Sequence, residues 1–479
     1  MSTPYLSYSS FLYLTLTSCL GSFFLGYQMA ELSLLQTNLA YLFKWSNSEK
    51  NLYVGFLTGL MPLGAMVGSF LAGEIAKKRG KRFSFMFADV VGVGGMLLCL
   101  VSGEIVGFML LGRFVCGVAV GINCSLIPSY ISEMAPPSIR GALGSYFNTV
   151  IICGLFISTL IGFGVPSENG IKKDGPGSYW RMIFILGIIP CLLRLFLLIK
   201  VYDFDTIPFL LSRNEDSRAK EVLRMFYKEE HVNEVFNEYY LEARKNQIVS
   251  NEELFQGRLK SRMRMGLILI VIQTFTGANA VIFYSSTLFR STSIQPGDYD
   301  LVSNLCSLLI AFILVVSSIV AGKIVDNYGR KIIILLGSWA CSFFLFLIFF
   351  LTTFITPSSF IDFLIKVVIF IFFFSAGVSV GPVMWIYEAE ILPETGMIWV
   401  SAMVWFCNAF LGIFFPLAIN VSFIGTNGAF LFFSCCMFFG GLYIFVNVKE
   451  TKGKNNEEIN RMFKEGKEDV EMGYLKLDE

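Results

Sequence analysis

Long apolar runs dominate the chain and recur twelve times. Each run is roughly 20 residues long, the length that an α-helix needs to cross the hydrocarbon core of a bilayer. Residues 141–167 and 332–361 contain no charged side chain. We therefore predict an all-α membrane protein with twelve transmembrane helices, at about 11–31, 52–72, 83–102, 105–128, 141–164, 180–200, 265–289, 301–322, 332–355, 362–387, 398–421 and 428–447.

A charged segment separates the first six runs from the last six. Short amphipathic patterns at 218–226 and 235–241 indicate that this segment forms small helices that cap one membrane face. The chain then divides into an N-terminal six-helix bundle, a cytoplasmic helical linker, a C-terminal six-helix bundle and a cytoplasmic tail, with predicted boundaries at 1–200, 201–264, 265–447 and 448–479.

Lysine and arginine concentrate on one side of the predicted spans. The loop at 73–82 holds five such residues, and the loop at 322–331 holds Lys323, Arg330 and Lys331. Loops on the cytoplasmic side of membrane proteins carry this excess. We therefore expect both termini to be cytoplasmic, in a multi-pass protein of the plasma membrane.

The two halves of the sequence repeat each other. Residues 73–82 and 322–331 both read as a glycine, six residues, a second glycine and two basic residues. Residues 130–136 after the fourth run likewise match 387–393 after the tenth. Two matches at equivalent loops indicate a duplicated six-helix unit in parallel topology, as in transporters that bind their substrate between the halves.

Composition excludes several classes of function. The chain has 479 residues, of which 55% are hydrophobic and 15% charged, and its net charge is +1, so nothing favours nucleic acid as a partner. The single histidine, His231, lies outside the spans, and the 11 cysteines show no metal-ligand spacing. We expect no enzyme activity, metal or cofactor, and we expect the lipid bilayer and a small solute as partners.

Several motifs are similar to those of the sugar porter family of the major facilitator superfamily. Residues 111–117 and 128–144 resemble the fourth span and following loop of facilitative hexose transporters. The motifs at Trp180-Arg181, at Gly381-Pro382 with Trp385 and Glu390, and at 448–453 fit as well. The resemblance implies the major facilitator fold, with its two six-helix halves, and alternating-access transport of a hexose-type sugar, with glucose as the first candidate. It implies a uniporter that works as a monomer.

The resemblance also implies which residues contact the sugar. Side-chain amides both donate and accept hydrogen bonds, and aromatic faces cover a sugar ring, so both suit an uncharged solute. Three family contacts are replaced by Leu314, Gly377 and Ala409, from which we expect a roomier, less polar second half. The positions that match family contacts are Gln273, Thr274, Asn279, Asn148, Trp385 and Asn408, with Tyr284 as an outer gate.

Energy coupling depends on the first span. Proton-coupled relatives carry an aspartate after Gly-Tyr, whereas this chain has Gln28, which does not titrate and leaves Arg113 without that partner. This favours a facilitative uniporter. Glu31, one turn further along on the same helix face, leaves two alternatives open: a displaced proton site, which would make the protein a proton-coupled symporter, and a partner for Arg113. We favour an interfacial glutamate. Asp89 in the third span is expected to pair with the basic loop that ends at Arg82.

The repeated loops predict a gate by the same resemblance. Their arginines and glutamates are expected to form cytoplasmic ion pairs that hold the outward-facing state and break as the halves rock. The residues concerned are Arg82, Arg140, Arg330, Glu133 and Glu390. The family's arginine motif after the sixth span is reduced to residues 204–208, so one pair is in doubt. A non-transporting nutrient sensor is a further alternative.

Overall fold

The computed structural model describes residues 5–103, 105–166, 168–245, 251–257, 259–283, 299–419, 425–454 and 456–464. Within these ranges, twelve helical spans are long and apolar enough to cross a membrane, which confirms the predicted fold class. We number them α1 to α12: Tyr8–Ala30, Asn47–Arg79, Lys81–Leu100, Val106–Met134, Pro137–Gly162, Trp180–Lys200, Lys260–Phe283, Tyr299–Tyr328, Arg330–Phe354, Ser359–Ile391, Glu394–Ile419 and Gly425–Asn447.

Two of these spans are interrupted. The regular helix of α7 ends at Thr274, and Gly277 has a φ of +81°, which favours glycine. In α10 the helix breaks at Ser379, between Val378 and Val380. Irregular backbone at membrane depth is tolerated only where it is buried in protein or lines a cavity. We therefore expect both breaks to face the interior of the protein rather than lipid.

The two halves pack against each other through equivalent helices. The first contact joins α2 to α11, where Gly59 and Gly412 allow close approach, and the second joins α5 to α8. Within the first half, Gly26 of α1 packs directly against the backbone of α5 at Ile151. A side chain at that glycine would collide with backbone that cannot move aside. Small residues thus set the spacing of the bundle.

Shorter helices lie on the two faces of the bundle. The basic face carries the starts of α3 and α9 together with helices Ile207–Ser212, Asp216–Phe226, Glu229–Lys245, Asn251–Phe255 and Asn456–Lys464. Helix Asp216–Phe226 is amphipathic and buries Phe226 against Phe11 of α1, with ring centroids 5.0 Å apart. The opposite face carries helices Gln36–Leu42 and Glu168–Asp174.

Two carboxylates cap the repeated basic loops in the same way. Asp205 accepts hydrogen bonds from the backbone N–H groups of Lys81 and Arg82 at 3.0 and 3.1 Å. Glu450 accepts from those of Arg330 and Lys331 at 2.9 and 3.0 Å. A carboxylate at a helix N-terminus satisfies orphan donors and complements the helix dipole. The motif after α6 therefore keeps its capping acid although it lacks the arginine.

The two caps differ in their electrostatics. Burial raises the pKa of Asp205 despite its backbone hydrogen bonds. Burial also acts on Glu450, but the backbone N–H groups that donate to its carboxylate outweigh it and lower the pKa. Its additional donors are the N–H groups of Thr451 and Lys452, each at 3.0 Å. Glu450 thus holds its charge more firmly than Asp205.

Replacing either cap by alanine should destabilise the protein. Asp205→Ala and Glu450→Ala each leave helix N–H groups unsatisfied, a loss of about 0.5–2 kcal/mol. We expect Glu450→Ala to be the more harmful, since it removes acceptors from four N–H groups. Thermal unfolding in detergent measures both. The control is Glu74→Ala, whose ion pair with Lys78 is exposed; equal losses in all three variants would contradict the capping role.

Candidate functional site

Hydrogen bonds from two side-chain amides connect α7 to two neighbouring helices of the second half. The Nε2 of Gln273 donates to the carbonyl oxygen of Gly381 in α10 at 2.7 Å. The Nδ2 of Asn279 donates to the Oδ1 of Asn408 in α11 at 2.9 Å. Both bonds lie beside the breaks in α7 and α10. The helix ends are therefore held by the same amides that the sequence singled out.

A second set of contacts joins the halves. The Nδ2 of Asn148 in α5 donates to the Oγ of Ser318 in α8 at 3.0 Å. Ser317, the residue before Ser318, and Leu314, one turn earlier in α8, pack against Gly377 of α10. The contacts run without a gap from α5 through α8, α10 and α7 to α11. Asn148 is thus brought to the same ring of helices as Gln273, although no described bond connects the two.

One amide of this ring retains an unused acceptor, and two others are partly exposed. Among the described residues, the Oε1 of Gln273 is buried and has no partner. Asn279 and Asn148 are only half-buried, as is the indole of Trp385 one turn after Gly381. Uncharged donors and acceptors beside an aromatic face suit a neutral ligand rich in hydroxyl groups.

Thr274 does not belong to this set. Its side chain is only 1% exposed, and its hydroxyl donates to the carbonyl oxygen of Ile270 one turn earlier at 2.9 Å. The hydroxyl is therefore used inside its own helix in this conformation, and a contact between Thr274 and the solute stays a prediction. Tyr284, the predicted outer gate, lies outside the described residues.

The small residues that replace family contacts do not enlarge the site. A side chain at Gly377 would collide with the hydroxyl of Ser317, so the space is filled by α8. Ala409 is buried, and its carbonyl oxygen packs against Gly59 at the contact between α11 and α2. At Gly377 the expectation of a roomier second half is therefore wrong, because Ser317 of α8 occupies the space.

Glu31 is buried in the first half and is not interfacial. Its carboxylate pairs with the guanidinium of Arg113, and both side chains are at most 2% exposed. Gln28 completes the cluster: its Oε1 accepts from Arg113 at 2.8 Å, and its Nε2 donates to Glu31 at 3.0 Å. The favoured interpretation of Glu31 is thus wrong. The arginine has a carboxylate partner, displaced by one helical turn from the position that sequence comparison suggests.

Asp89 also has a different partner from the one predicted. It forms a bidentate ion pair with Arg194 of α6, with nitrogen–oxygen distances of 2.7 and 2.9 Å, rather than a pair with the basic loop. Asn123 and the backbone carbonyl of Ser18 accept further hydrogen bonds from the guanidinium. The cluster fixes α1, α3, α4 and α6 together. Bidentate geometry with every donor directed at an acceptor is what a buried ion pair needs.

Sequence analysis missed Arg194, although a signal existed. Asp89 lies eight residues after Lys81 at the start of α3, and Arg194 lies six residues before Lys200 at the end of α6. Two opposite charges therefore stand at similar depth, measured from the same face. Intramembrane charges of opposite sign usually pair with each other.

The ion pairs on the basic face differ in part from the predicted gate. Glu390 pairs with Arg330 at 2.9 Å, as expected. Glu133 instead pairs with Lys81 at 2.7 Å, because Arg82 turns towards Asp203 and the carbonyl oxygen of Leu198.

Arg140 joins no carboxylate among the described residues. Its Nε donates to the carbonyl oxygen of Ala135 at 3.5 Å. The pairs Lys81–Glu133 and Arg330–Glu390 each stay within one half. Neither ties the two halves together in this conformation.

Contacts near the opposite face do join the halves. Gln36, in the short helix after α1, donates to the carbonyl oxygen of Phe283 at the end of α7 at 2.9 Å. On the basic face, by contrast, Gly141 and Gly144 of α5 and Gly322 of α8 have open space beside them. In the described conformation the two halves therefore touch at the face opposite the basic one, where the short helix after α1 contacts the end of α7. At the basic face, the ends of α5 and α8 are uncovered.

Comparison with known proteins defines the class. The family model for the sugar (and other) transporter family matches residues 14–463, and the chain belongs to that family. The plastidic glucose transporter 4 of Arabidopsis thaliana is 30% identical over 458 residues, which are 92% of this chain and 78% of that protein. The facilitated glucose transporter member 2 of solute carrier family 2 from Rattus norvegicus is 28% identical over 84% of this chain and 76% of its own length.

Solved structures agree on the fold. A structure of the proton:xylose symporter XylE, of the major facilitator superfamily, bound to 6-bromo-6-deoxy-D-glucose superposes with a TM-score of 0.79. It covers 95% of this chain and 100% of that chain at 24% identity. This protein is thus a sugar transporter of the major facilitator fold.

Breaking the buried pair in the first half should be strongly destabilising. Asp89→Asn or Arg194→Gln alone leaves a charge uncompensated among α1, α3, α4 and α6, which costs about 3–5 kcal/mol. The double variant removes both charges and should recover much of that loss. Thermal unfolding of all three variants forms a double-mutant cycle. Arg224→Gln, which breaks an exposed pair with Glu229, is the control and should change little. Additive losses in the cycle would show that the two residues do not interact.

Proposed function

We propose that this transporter carries a hexose-type sugar, glucose first among them, across the plasma membrane as a facilitative uniporter. The observation that carries the proposal is the set of uncharged amides around the broken helices α7 and α10. Gln273, Asn279 and Asn408 offer donors and acceptors without a counter-charge. A charged substrate would lack a partner there. Relatives named as glucose transporters support the choice of sugar.

Uniport is supported by Gln28, whose Oε1 accepts a hydrogen bond from Arg113 at 2.8 Å. An amide does not titrate, and by the family resemblance proton-coupled relatives carry an aspartate at this position. The guanidinium of Arg113 also pairs with Glu31 and donates to the carbonyl oxygen of Leu57 at 3.2 Å.

Proton-coupled symport is the second candidate, and one observation favours it. A buried carboxylate–arginine pair within α1 and α4 is the kind of group that takes up a proton when a conformational change separates its members. The symporter XylE, a structural neighbour, is named for proton-linked transport. In this reading Glu31 would carry the proton.

The basic face supports a gating role for its ion pairs. We propose that this face is cytoplasmic, as its lysines and arginines indicate. Lys81–Glu133 and Arg330–Glu390 join neighbouring helices of one half and occupy equivalent places in the repeat. Movement of either half changes the surroundings of these pairs. We also propose that the transport unit is a monomer, since one chain contains all the residues proposed for the site.

Sugar uptake into proteoliposomes separates the two candidates. Under the uniport proposal, purified protein equilibrates labelled glucose across the membrane, and an imposed pH gradient causes no accumulation. Accumulation above the external concentration that disappears in Glu31→Gln would establish symport instead. Absence of any glucose uptake, with binding also absent, would contradict the proposed substrate.

Loss of the central amide should weaken sugar binding. Gln273→Ala removes one buried hydrogen-bonding group, so we expect a loss of about 1–3 kcal/mol, roughly 5- to 150-fold in Kd. Equilibrium binding of glucose to the purified protein measures this. Asn447→Ala, an exposed amide at the end of α12, is the matched control. An unchanged Kd for Gln273→Ala would remove that residue from the site.

A further inference from the structure

Glu388 of α10 is a buried acid that the transport site does not use. Its side chain is 0% exposed, and among the described residues neither carboxyl oxygen has a hydrogen-bond partner. Glu31 and Asp89, the other fully buried acids in the described ranges, each have an arginine beside them. Among the described residues, Glu388 thus differs from these two acids in having no cation beside it.

The neighbours of Glu388 on its own helix face are apolar. Met384, one turn earlier, and Ile391, one turn later, are both buried. The neighbouring Tyr387 uses its hydroxyl elsewhere: it contacts the sulfur of Met265 at 3.6 Å and accepts from the N–H of Lys449 at 3.4 Å. No dipole from these residues is directed at the carboxyl group.

The charged groups of the elements packed against α10 are engaged with other partners or lie beyond ion-pair distance. Arg262 of α7 donates to the carbonyl oxygens of Ile391 and Ile459, and Arg330 of α9 pairs with Glu390. The remaining charges at the basic-face ends of the packed elements are Arg264 of α7, Lys323 of α8, Lys331 of α9, and Lys449 and Glu450 after α12. None of these groups forms an ion pair with Glu388 within the described part of the chain.

Burial without a partner decides the protonation state. An ionised carboxylate in an apolar site pays its whole loss of hydration, whereas the neutral acid does not. A buried charge is retained in proteins where it is paired and hydrogen-bonded. Glu388 has neither, so in this conformation it holds a proton.

The position of Glu388 connects this proton to movement. The residue lies in the segment that follows the break at Ser379, one turn after Trp385, and the same segment is bonded to Gln273 through Gly381. It also lies three residues before Ile391, where α10 ends on the basic face. A shift of this segment on sugar binding or release therefore changes the burial of Glu388 close to water.

We propose that Glu388 is a proton-binding site that exchanges with water at the basic face as α10 moves. In the described conformation the carboxyl group is protonated. When the segment moves and admits water, the O–H bond breaks, the proton passes to water and the carboxylate remains. The reverse movement takes a proton back from the same side.

This inference rests on the proposed uniport but adds to it. Because the proton enters and leaves on one side, it does no transport work, and sugar is not accumulated. The return to the buried conformation does need the proton. The rate of sugar exchange should therefore fall as the pH rises, with a dependence of about one proton per cycle.

Infrared spectroscopy tests the site without reference to any sugar. The full-length protein in lipid nanodiscs is compared with Glu388→Gln, an uncharged variant of nearly the same shape. We expect the wild-type protein at neutral pH to show the carbonyl band of a protonated carboxyl group that the variant lacks. If Glu388→Gln does not fold, Glu388→Asp should keep the band at a shifted frequency. The absence of a difference band would overturn the proposal.

Exchange of labelled glucose at equal pH on both sides of proteoliposomes tests the coupling to movement. The wild-type rate should fall with rising pH, and the rate of Glu388→Gln should be flat. Glu74→Gln, an exposed acid at the basic-face end of α2, is the matched control and should behave as wild type. A variant that keeps the wild-type pH profile, or gradient-driven accumulation that depends on Glu388, would overturn the proposal. Absence of glucose exchange in the wild type would count against the proposed function, and the infrared result would still decide the site.

Discussion

A polar group inside a transmembrane helix must find its partner within the protein, because hydrocarbon offers none. The rest of the structure follows from how this chain meets that requirement. Glu31 and Asp89 are each matched to an arginine on another helix, and these pairs fix the packing of the first half. Among the described residues Glu388 has no such partner, and under our proposal a proton neutralises it. One constraint thus gives two kinds of buried acid.

The two halves share an architecture but differ in their buried polar groups and in the continuity of their helices. Their basic loops are capped alike, by Asp205 in the first half and Glu450 in the second, and each half has one lysine or arginine paired with a glutamate beside the cap. Within the described ranges, the fully buried ion pairs lie in the first half, whereas the two broken helices lie in the second. Such a division gives one half a rigid interior and leaves the other with segments that can shift around a ligand.

The amides of the site serve two purposes at once. Gln273 and Asn279 hold the broken ends of α7 against α10 and α11, and among the described residues the Oε1 of Gln273 has no hydrogen-bond partner. A ligand that competes for these bonds also loosens the contacts between helices. Recognition and movement are therefore connected through the same few side chains, which is what alternating access requires of a site between two halves.

The twelve spans, their duplication and the amides of α7 could be predicted from the sequence alone. They follow from local signals: the length of apolar runs, the repeated loops and the cost of amides in hydrocarbon. The ion-pair partners could not be predicted in this way. Arg194 lies 105 residues from Asp89, and Lys81 rather than Arg82 reaches Glu133. These pairs, and the filling of space at Gly377, became visible in the folded bundle, because packing across all of its helices sets their rotation and spacing.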